Sequence, residues 1–207
     1  MDTIANTTNI PSTITFDVER IEVRAVKEEE IYCVADIITH SFNFDRGWRG
    51  LFTPLFKLGI AEDLRHRLRA RSTHNHSQSR HQVCAIALYD DRDRGQTAIV
   101  GTVEVGARTG SDRSHPPRYV YISNLAVGSD FRRQGVARKL LNNCERITQA
   151  WGYTELHLHV MADNDQGLNL YKKLGYEVVS TEFLWSWFPL WYRPERLFMR
   201  KQLVNGD

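Results

Sequence analysis

The sequence predicts a mixed α/β sheet with helices on both faces, and three observations predict it. Strand-like and helix-like segments alternate in the order strand, helix, helix, three strands, helix, strand, helix, two strands. Hydrophobic residues make up 42% and aromatics 11% of 207 residues, enough for the core of one domain. No run of about 18 apolar residues exists, which excludes a conventional transmembrane helix.

Each element follows from its own pattern. Ile21 to Val26 alternates apolar and polar residues and reads as the first strand. Between Glu28 and Phe42, Ile31, Val34, Ala35, Ile38 and Phe42 fall on one helical face. An aromatic- and glycine-rich stretch, with Phe44, Trp48, Phe52 and Phe56, leads into a helix from about Pro54 to Ala70. The polar face of that helix carries Arg65, Arg67 and Arg69 and, with Arg71, is read as solvated. Ser72 to Ser79 is a polar surface loop with His74, His76 and, nearby, His81, whose Ser, Asn, Gln and Arg neighbours argue against a metal. Two strands, Gln82 to Leu88 and Ala98 to Val105, are joined by the Asp90–Gly95 turn cluster.

Gly110 to Pro117 is a connection that its two prolines keep irregular. Tyr119 to Val127 is a strand by length and composition. The helix from Gly135 to Trp151 is the clearest in the chain, with Val136, Leu140, Cys144, Ile147 and Trp151 at helical spacing and Gly152 as its stop. Glu155 to Met161 is a strand, Asp165 to Leu174 a short helix ended by Gly175, and Tyr176 to Glu182 and Leu197 to Leu203 are the closing strands. Residues 1–19 read as a flexible tail and 20–207 as one domain.

Charge and cysteine usage narrow the function. Lys and Arg total 27 against 25 Asp and Glu, a balance unsuited to bulk phosphate neutralisation, so no specific nucleic acid is expected as a partner. Cys33, Cys84 and Cys144 lie far apart with no Cys/His ligand spacing, so neither a disulfide framework nor a structural metal is expected. The polar opening has no apolar core or basic residues of a targeting leader, which points to a reducing cytoplasmic compartment.

The strongest chemical signal is a strand, a short loop Arg132-Arg133-Gln134-Gly135-Val136-Ala137 and an amphipathic helix. A helix start offers unpaired N–H groups and a favourable dipole to phosphate. Gly135 allows close backbone approach, and Arg132, Arg133 and Arg138 add positive charge. The spacing fits neither a P-loop nor a dinucleotide fingerprint.

Arg132-x-x-Gly135-x-Ala137 resembles the [RQ]-x-x-G-x-[GA] acetyl-CoA signature of the GNAT acyltransferases. At the expected distance follows Asn164 to Tyr176, similar to the family segment N-x-x-A-x-x-L-Y-x-K-x-G-[FY], with Gly167 where alanine is usual. The resemblance covers about residues 119–180, and the element order agrees from 20 to 203. It implies the GNAT fold, a mixed but mostly antiparallel sheet, and acetyl-CoA as co-substrate with no metal. It implies that the backbone of Leu125, Ala126 and Val127 pairs with the pantetheine arm. Arg133, Gln134, Gly135, Val136, Ala137 and Arg138, preceded by Arg132, would cradle the pyrophosphate. Asn164 would contact the cofactor, and Tyr171 would lie near its sulfur and give the departing thiolate a proton.

Leu158-His159-Val160 and Tyr121-Ile122 resemble the protein N-terminal acetyltransferase branch, where a Tyr and a His on neighbouring strands manage the amine proton. That role carries over to Tyr121 and His159. His157 shares strand parity with His159 and is a substitute. The resemblance also makes Glu104 a candidate base, as in other family members, but its place equally suits a solvent-facing strand residue.

A peptide α-amine, with a pKa of roughly 7.7–8.0 against about 10.4 for lysine, is about one third neutral at pH 7.5, whereas lysine is about one thousandth neutral. A weak base suffices for the first, so the expected acceptor is a protein or peptide N-terminus, with lysine second. Two aromatic regions, Phe42 to Phe56 and Phe183 to Tyr192, are candidates for the acceptor cleft, core packing or a dimer surface. The alternatives are acetylation of a small amine, such as a polyamine or aminoglycoside, and a non-catalytic acyl-CoA-binding module. The chain also resembles plastid-type and cyanobacterial GNAT proteins, which implies a bacterial or cyanobacterial cytosol first and a plastid stroma second. Monomer and homodimer both fit.

Overall fold

The computed structural model describes residues 16–41, 53–72, 81–92, 95–110, 116–183 and 195–203, with the side chains of 53–56 and 67–72 outside that description. Its strands are β1 (Ile21–Ala25), β2 (Gln82–Asp91), β3 (Gln96–Thr109), β4 (Arg118–Val127), β5 (Glu155–Met161), β6 (Glu177–Phe183) and β7 (Glu195–Gln202). Its helices are α1 (Ile31–Ser41), α2 (Thr53–Ser72), α3 (Val136–Ala150) and α4 (Asp165–Lys173). The strands form one sheet in the order β1-β2-β3-β4-β5-β7-β6. β1–β2, β5–β7 and β6–β7 pair antiparallel, and β4–β5 pairs parallel. No helix among the described residues is long and apolar enough to cross a membrane.

The described residues group into two compact units, interleaved in sequence. The first takes its residues from Met1–Glu104 and Asn124–Asn143, the second from Val105–Ser123 and Cys144–Asp207.

In the first unit, the helical spacing of α1 puts Val34, Ala35 and Ile38 against Leu64 of α2 and Ile86 of β2. Just before α1, Glu30 is buried and accepts two hydrogen bonds from Arg24, at 2.6 and 2.9 Å, and one from the Lys27 backbone N–H at 2.8 Å. Burial alone would raise its pKa, but the three hydrogen bonds from Arg24 and Lys27 hold the carboxyl below its usual range. The tail expected to run through residue 19 is structured from Phe16 onward: that ring stacks on Tyr89 at 4.6 Å, and Asp17 caps the turn Val18–Arg20. Arg65 departs from the solvated face expected of it, lying 4.3 Å from the ring centre of Tyr32 and bonded to Glu62. A planar guanidinium gains more from an aromatic face and a carboxylate than from water alone.

In the second unit, alternation along β5 sends Leu156, Leu158 and Val160 to one face and His157 and His159 to the other. The first set is buried, as are Val120, Ile122 and Met199 on the adjoining strands. The second set meets Tyr119, Tyr121 and Phe198, so β5 is apolar on one side and aromatic with titratable groups on the other.

Candidate active site

The first unit holds the predicted anion loop. The last residues of β4, from Asn124, precede it, and Asn124 itself adopts φ 52°, a left-handed conformation that asparagine tolerates better than most residues. Its side-chain amide donates to Glu104 at 2.7 Å. Glu104 is 2% exposed, so the solvent-facing position expected for it is overturned: the alternation of β3 is broken by burial of nearly its whole central run. The Val127 carbonyl accepts from Ser41 Oγ and from Arg132 Nε, each at 3.2 Å, which pins the strand end to α1 and to the loop.

Arg133 (φ 65°) and Gly135 (φ 86°) are both left-handed, with Gln134 between them bonded to the Asp130 carbonyl at 2.9 Å. Such alternation is the backbone pattern from which anion-binding concavities are built. The Lys139 N–H reaches the Gly135 carbonyl at 3.1 Å, so the amides just before it in the first turn of α3 have no acceptor within the helix. A Cβ on Gly135 would lie 3.0 Å from Val18, and one on Gly101 would lie 3.0 Å from the Ala126 carbonyl and 3.1 Å from Val136 and Leu140. Glycine at 101 therefore lets β3 pass close beneath the strand end and the helix start. Arg132, Arg133 and Arg138 are exposed at the rim. These features fit a pyrophosphate: backbone donors without a side chain in the way, a helix N-terminus and flanking cations.

The second unit holds the proton-handling candidates. Tyr121 Oη and His159 Nδ1 are 2.9 Å apart. On the other side of the same ring, His159 Nε2 lies 3.2 Å from Glu182 Oε1. Arg196 grips the other oxygen, Oε2, through Nε at 2.8 Å and Nη2 at 2.6 Å. The Arg108 guanidinium lies over the Tyr121 ring, 3.7 Å from its centre. Burial pushes the Tyr121 phenol up, partly offset by Arg108 and Arg196. Burial also raises Glu182, but His159 and Arg196 outweigh it and hold the carboxyl below its usual range.

The other candidates are placed differently. His157 is buried, stacked on Phe198 at 5.2 Å and edge-on to Tyr119 at 5.4 Å, with Glu155 3.7 Å from its Nε2. Tyr171 is buried on α4 against Tyr176, with ring centres 5.7 Å apart. Burial pushes its phenol up to about 12, with Tyr121 and Cys144 as further contributors. Asn164 caps α4 by accepting from the Gly167 N–H at 2.9 Å. The departure from alanine at 167 has a structural counterpart: a Cβ there would sit 2.9 Å from the Asn164 amide nitrogen.

The structure thus brings Tyr121 and His159 together and adds Glu182, Arg196 and Arg108, which the sequence reading did not single out. Tyr121 and His159 were signalled by the family resemblance, and Arg196 only by strand parity. Arg196 and Phe198 share a face of β7, but Arg196 lies before the expected strand start, and an irregularity between Val178 and Ser180 shifts the β6 register. Most of the aromatic stretch Phe42 to Phe56 and residues 184–192 lie outside the described residues, as do His74 and His76. Among the described residues no cluster could hold a metal ion.

Chemically, one unit offers backbone donors that suit an anion, and the other offers a tyrosine hydroxyl backed by an imidazole and a carboxylate. The Acetyltransferase (GNAT) family profile matches residues 48–176, more than half of the chain. The chloroplastic GCN5-related N-acetyltransferase 10 of Arabidopsis thaliana is 37% identical over 111 residues, covering 51% of this chain and 43% of that protein. N-alpha-acetyltransferase 50 of Danio rerio is 31% identical over 72 residues, covering 34% of this chain and 43% of that protein. The match spans less than half the length of either relative. PaiA N-acetyltransferase from Thermoplasma acidophilum, solved in complex with coenzyme A, has a TM-score of 0.61 at 16% identity, covering 88% of this chain and 98% of that one. At that identity the likeness is one of fold.

Proposed function

The chain belongs to the GNAT acetyltransferase family, and from that premise we propose that it moves an acetyl group from acetyl-CoA directly to a protein amine, the N-terminal α-amine first and lysine second. The Tyr121–His159 contact at 2.9 Å carries this reading. It is a hydroxyl backed by an imidazole, a weak base suited to an amine whose pKa is already near neutrality.

The donor side rests on the backbone. The amides around Gly135 and the first turn of α3 hold the pyrophosphate, with Arg132, Arg133 and Arg138 at the rim. The strand end Leu125–Val127 pairs with the pantetheine arm. The thioester supplies the electrophilic carbonyl, on which negative charge develops as the amine attacks, and a preorganised N–H answers that charge.

The acceptor side rests on side chains. As the amine attacks it must shed a proton, and Tyr121 with His159 takes it. Tyr171 has a narrower job than full proton donation. Burial raises its phenol to about 12, so it stays protonated as the thiolate leaves and is only a weak acid toward it. Tyr171 therefore hydrogen-bonds the departing sulfur and leaves final protonation to solvent.

Arg108 and Arg196 beside Tyr121 support an acceptor with little positive charge over a polyamine or aminoglycoside. The name of the zebrafish relative supports the α-amine. Three free cysteines suit a reducing compartment, a bacterial-type cytosol or, as the name of the Arabidopsis relative suggests, a plastid stroma.

The test is CoA release from acetyl-CoA with peptides carrying free or blocked N-termini and internal lysines. Turnover that vanishes on blocking establishes α-amine transfer, and turnover that persists makes lysine the acceptor. Silence on every peptide while acetyl-CoA still binds overturns the reading.

A further inference from the structure

We infer that Glu182, held by Arg196, is a positioning residue that fixes the protonation pattern of His159 and makes Tyr121–His159–Glu182 a directional proton relay. The inference deepens the function proposed above and rests on it for the substrate.

β5 and β6 are separated in the sheet by β7. His159 pairs with Phe198, and Glu182 pairs with Arg196 two residues earlier on β7. Glu182 therefore reaches His159 diagonally across a strand, and Arg196, on that strand, steers it. Both arginine contacts fall on Oε2, at 2.8 and 2.6 Å, which leaves Oε1 facing the imidazole at 3.2 Å.

The 3.2 Å approach is an ion-pair contact, and because an ionised carboxylate only accepts, it favours a proton on the ring nitrogen facing it. Arg196, with Nε at 2.8 Å and Nη2 at 2.6 Å from Oε2, keeps Glu182 ionised. With hydrogen on Nε2, Nδ1 holds a lone pair, and the Tyr121 hydroxyl 2.9 Å away must donate to it. The reverse tautomer would set a lone pair against a carboxylate. The hydroxyl oxygen is then left as an acceptor toward the amine. A proton arriving there, directly or through water, displaces the phenolic proton to Nδ1. Tyr121 ends unchanged, His159 becomes imidazolium, and the amine has lost one proton, which His159 later returns to solvent.

The groups facing His159 and its partner have opposing signs. Glu182 of β6 favours the imidazolium. Arg196 of β7, and Arg108 of β3 over the Tyr121 ring, oppose it. Tyr121 of β4 is the donor, Tyr171 of α4 lies within electrostatic reach of Tyr121, and His157 is two residues away on β5. Removing the Glu182 charge leaves only the opposing groups, so His159 should become a weaker base.

Nitrogen-15 NMR of the His159 ring reads the tautomer and titration without any acceptor. The native protein should show a protonated Nε2 and a bare Nδ1. Glu182→Gln should lower the His159 titration by about one pH unit. The acid limb of kcat/KM for a free-N-terminus peptide should move down with it, kcat should fall about tenfold, and KM for acetyl-CoA should not change. A proton on Nδ1 in the native protein overturns the inference, and so does a titration unmoved by Glu182→Gln. The native spectrum decides the tautomer even if the variant folds poorly. If no peptide is turned over while the spectra match, the proposed function fails and the relay geometry stands.

Discussion

The candidate anion loop of the first unit and the proposed proton relay of the second would handle charge by opposite means. Around Gly135 the donors are backbone amides, set by two left-handed residues and a helix start. Around His159 the donors and acceptors are side chains from β4, β5, β6 and β7. A backbone site depends on conformation, so it is sensitive to what a Cβ does and indifferent to most exposed side chains. A side-chain site depends on which atoms occupy the face, and its backbone is ordinary strand. Cofactor affinity should therefore follow the first region and proton transfer the second.

The largest effect should come from His159→Ala, which removes the proton acceptor. Turnover of a free-N-terminus peptide should fall by roughly 10²–10⁴-fold, the range of a positioned acid–base group. Acetyl-CoA affinity, measured by calorimetry, should be unchanged. A parallel collapse of acetyl-CoA binding would break the separation of roles.

A second carboxylate–arginine pair sharpens the comparison. Glu30 with Arg24 resembles Glu182 with Arg196, but the third partner of Glu30 is the Lys27 backbone N–H where Glu182 has an imidazole. The first arrangement secures a helix start, whereas the second touches a group that can change charge. Glu30→Ala should cost about 1–2 kcal/mol in denaturant unfolding at pH 7, because it removes the charge-assisted bonds from a partly exposed Arg24 and the acceptor of the Lys27 N–H. The folded pKa of Glu30 is depressed, so its contribution is present above the unfolded value near 4.3 and is lost as pH falls through the folded pKa. The stability gap between the two proteins should close in acid, and the pH profile of kcat should not move.

The two regions also differed in how readable they were. Strand and helix order followed from periodicity, because one buried face per element imposes period 2 or 3.6. The loop before α3 shows locally only a glycine and flanking arginines at a strand-to-helix turn, and its reading as a candidate anion site came from the family resemblance of Arg132-x-x-Gly135-x-Ala137. Tyr121 and His159 became readable only through a family resemblance. Glu182 and Arg196 did not, since their meeting depends on a long connection between β6 and β7 and on a register shift that no local pattern carries. Burial of Glu104 escaped for a related reason: its partner Asn124 sits on the next strand, at a left-handed residue.

Gly135→Ala tests the backbone half directly. At φ 86° a side chain costs about 1–2 kcal/mol, and its Cβ would also press on Val18 at 3.0 Å. Relief of that strain must turn the amides away from the anion. KM for acetyl-CoA should rise about tenfold, equivalent to roughly 1.4 kcal/mol, while the His159 titration stays in place.

Gly167→Ala should give the smallest change, and it probes whether the second unit contains a backbone-type feature of its own. Alanine gains up to about 1 kcal/mol of helix propensity over glycine. Its Cβ, however, would meet the Asn164 amide nitrogen at 2.9 Å, and the atom in the way is the free end of a side chain that can swing out. Swinging out gives up the bond to the Gly167 N–H, a cap contributing about 1 kcal/mol. The two effects nearly cancel, so thermal stability should move by less than about 0.5 kcal/mol. What changes is Asn164, released from capping and able to reach a ligand. A fall in KM for acetyl-CoA with an unaltered pH profile would make the glycine at 167 a brake on cofactor binding exerted through a helix cap. A shifted pH profile instead would mean that α4 feeds the relay through Tyr171, and the division between the two regions would have to be redrawn.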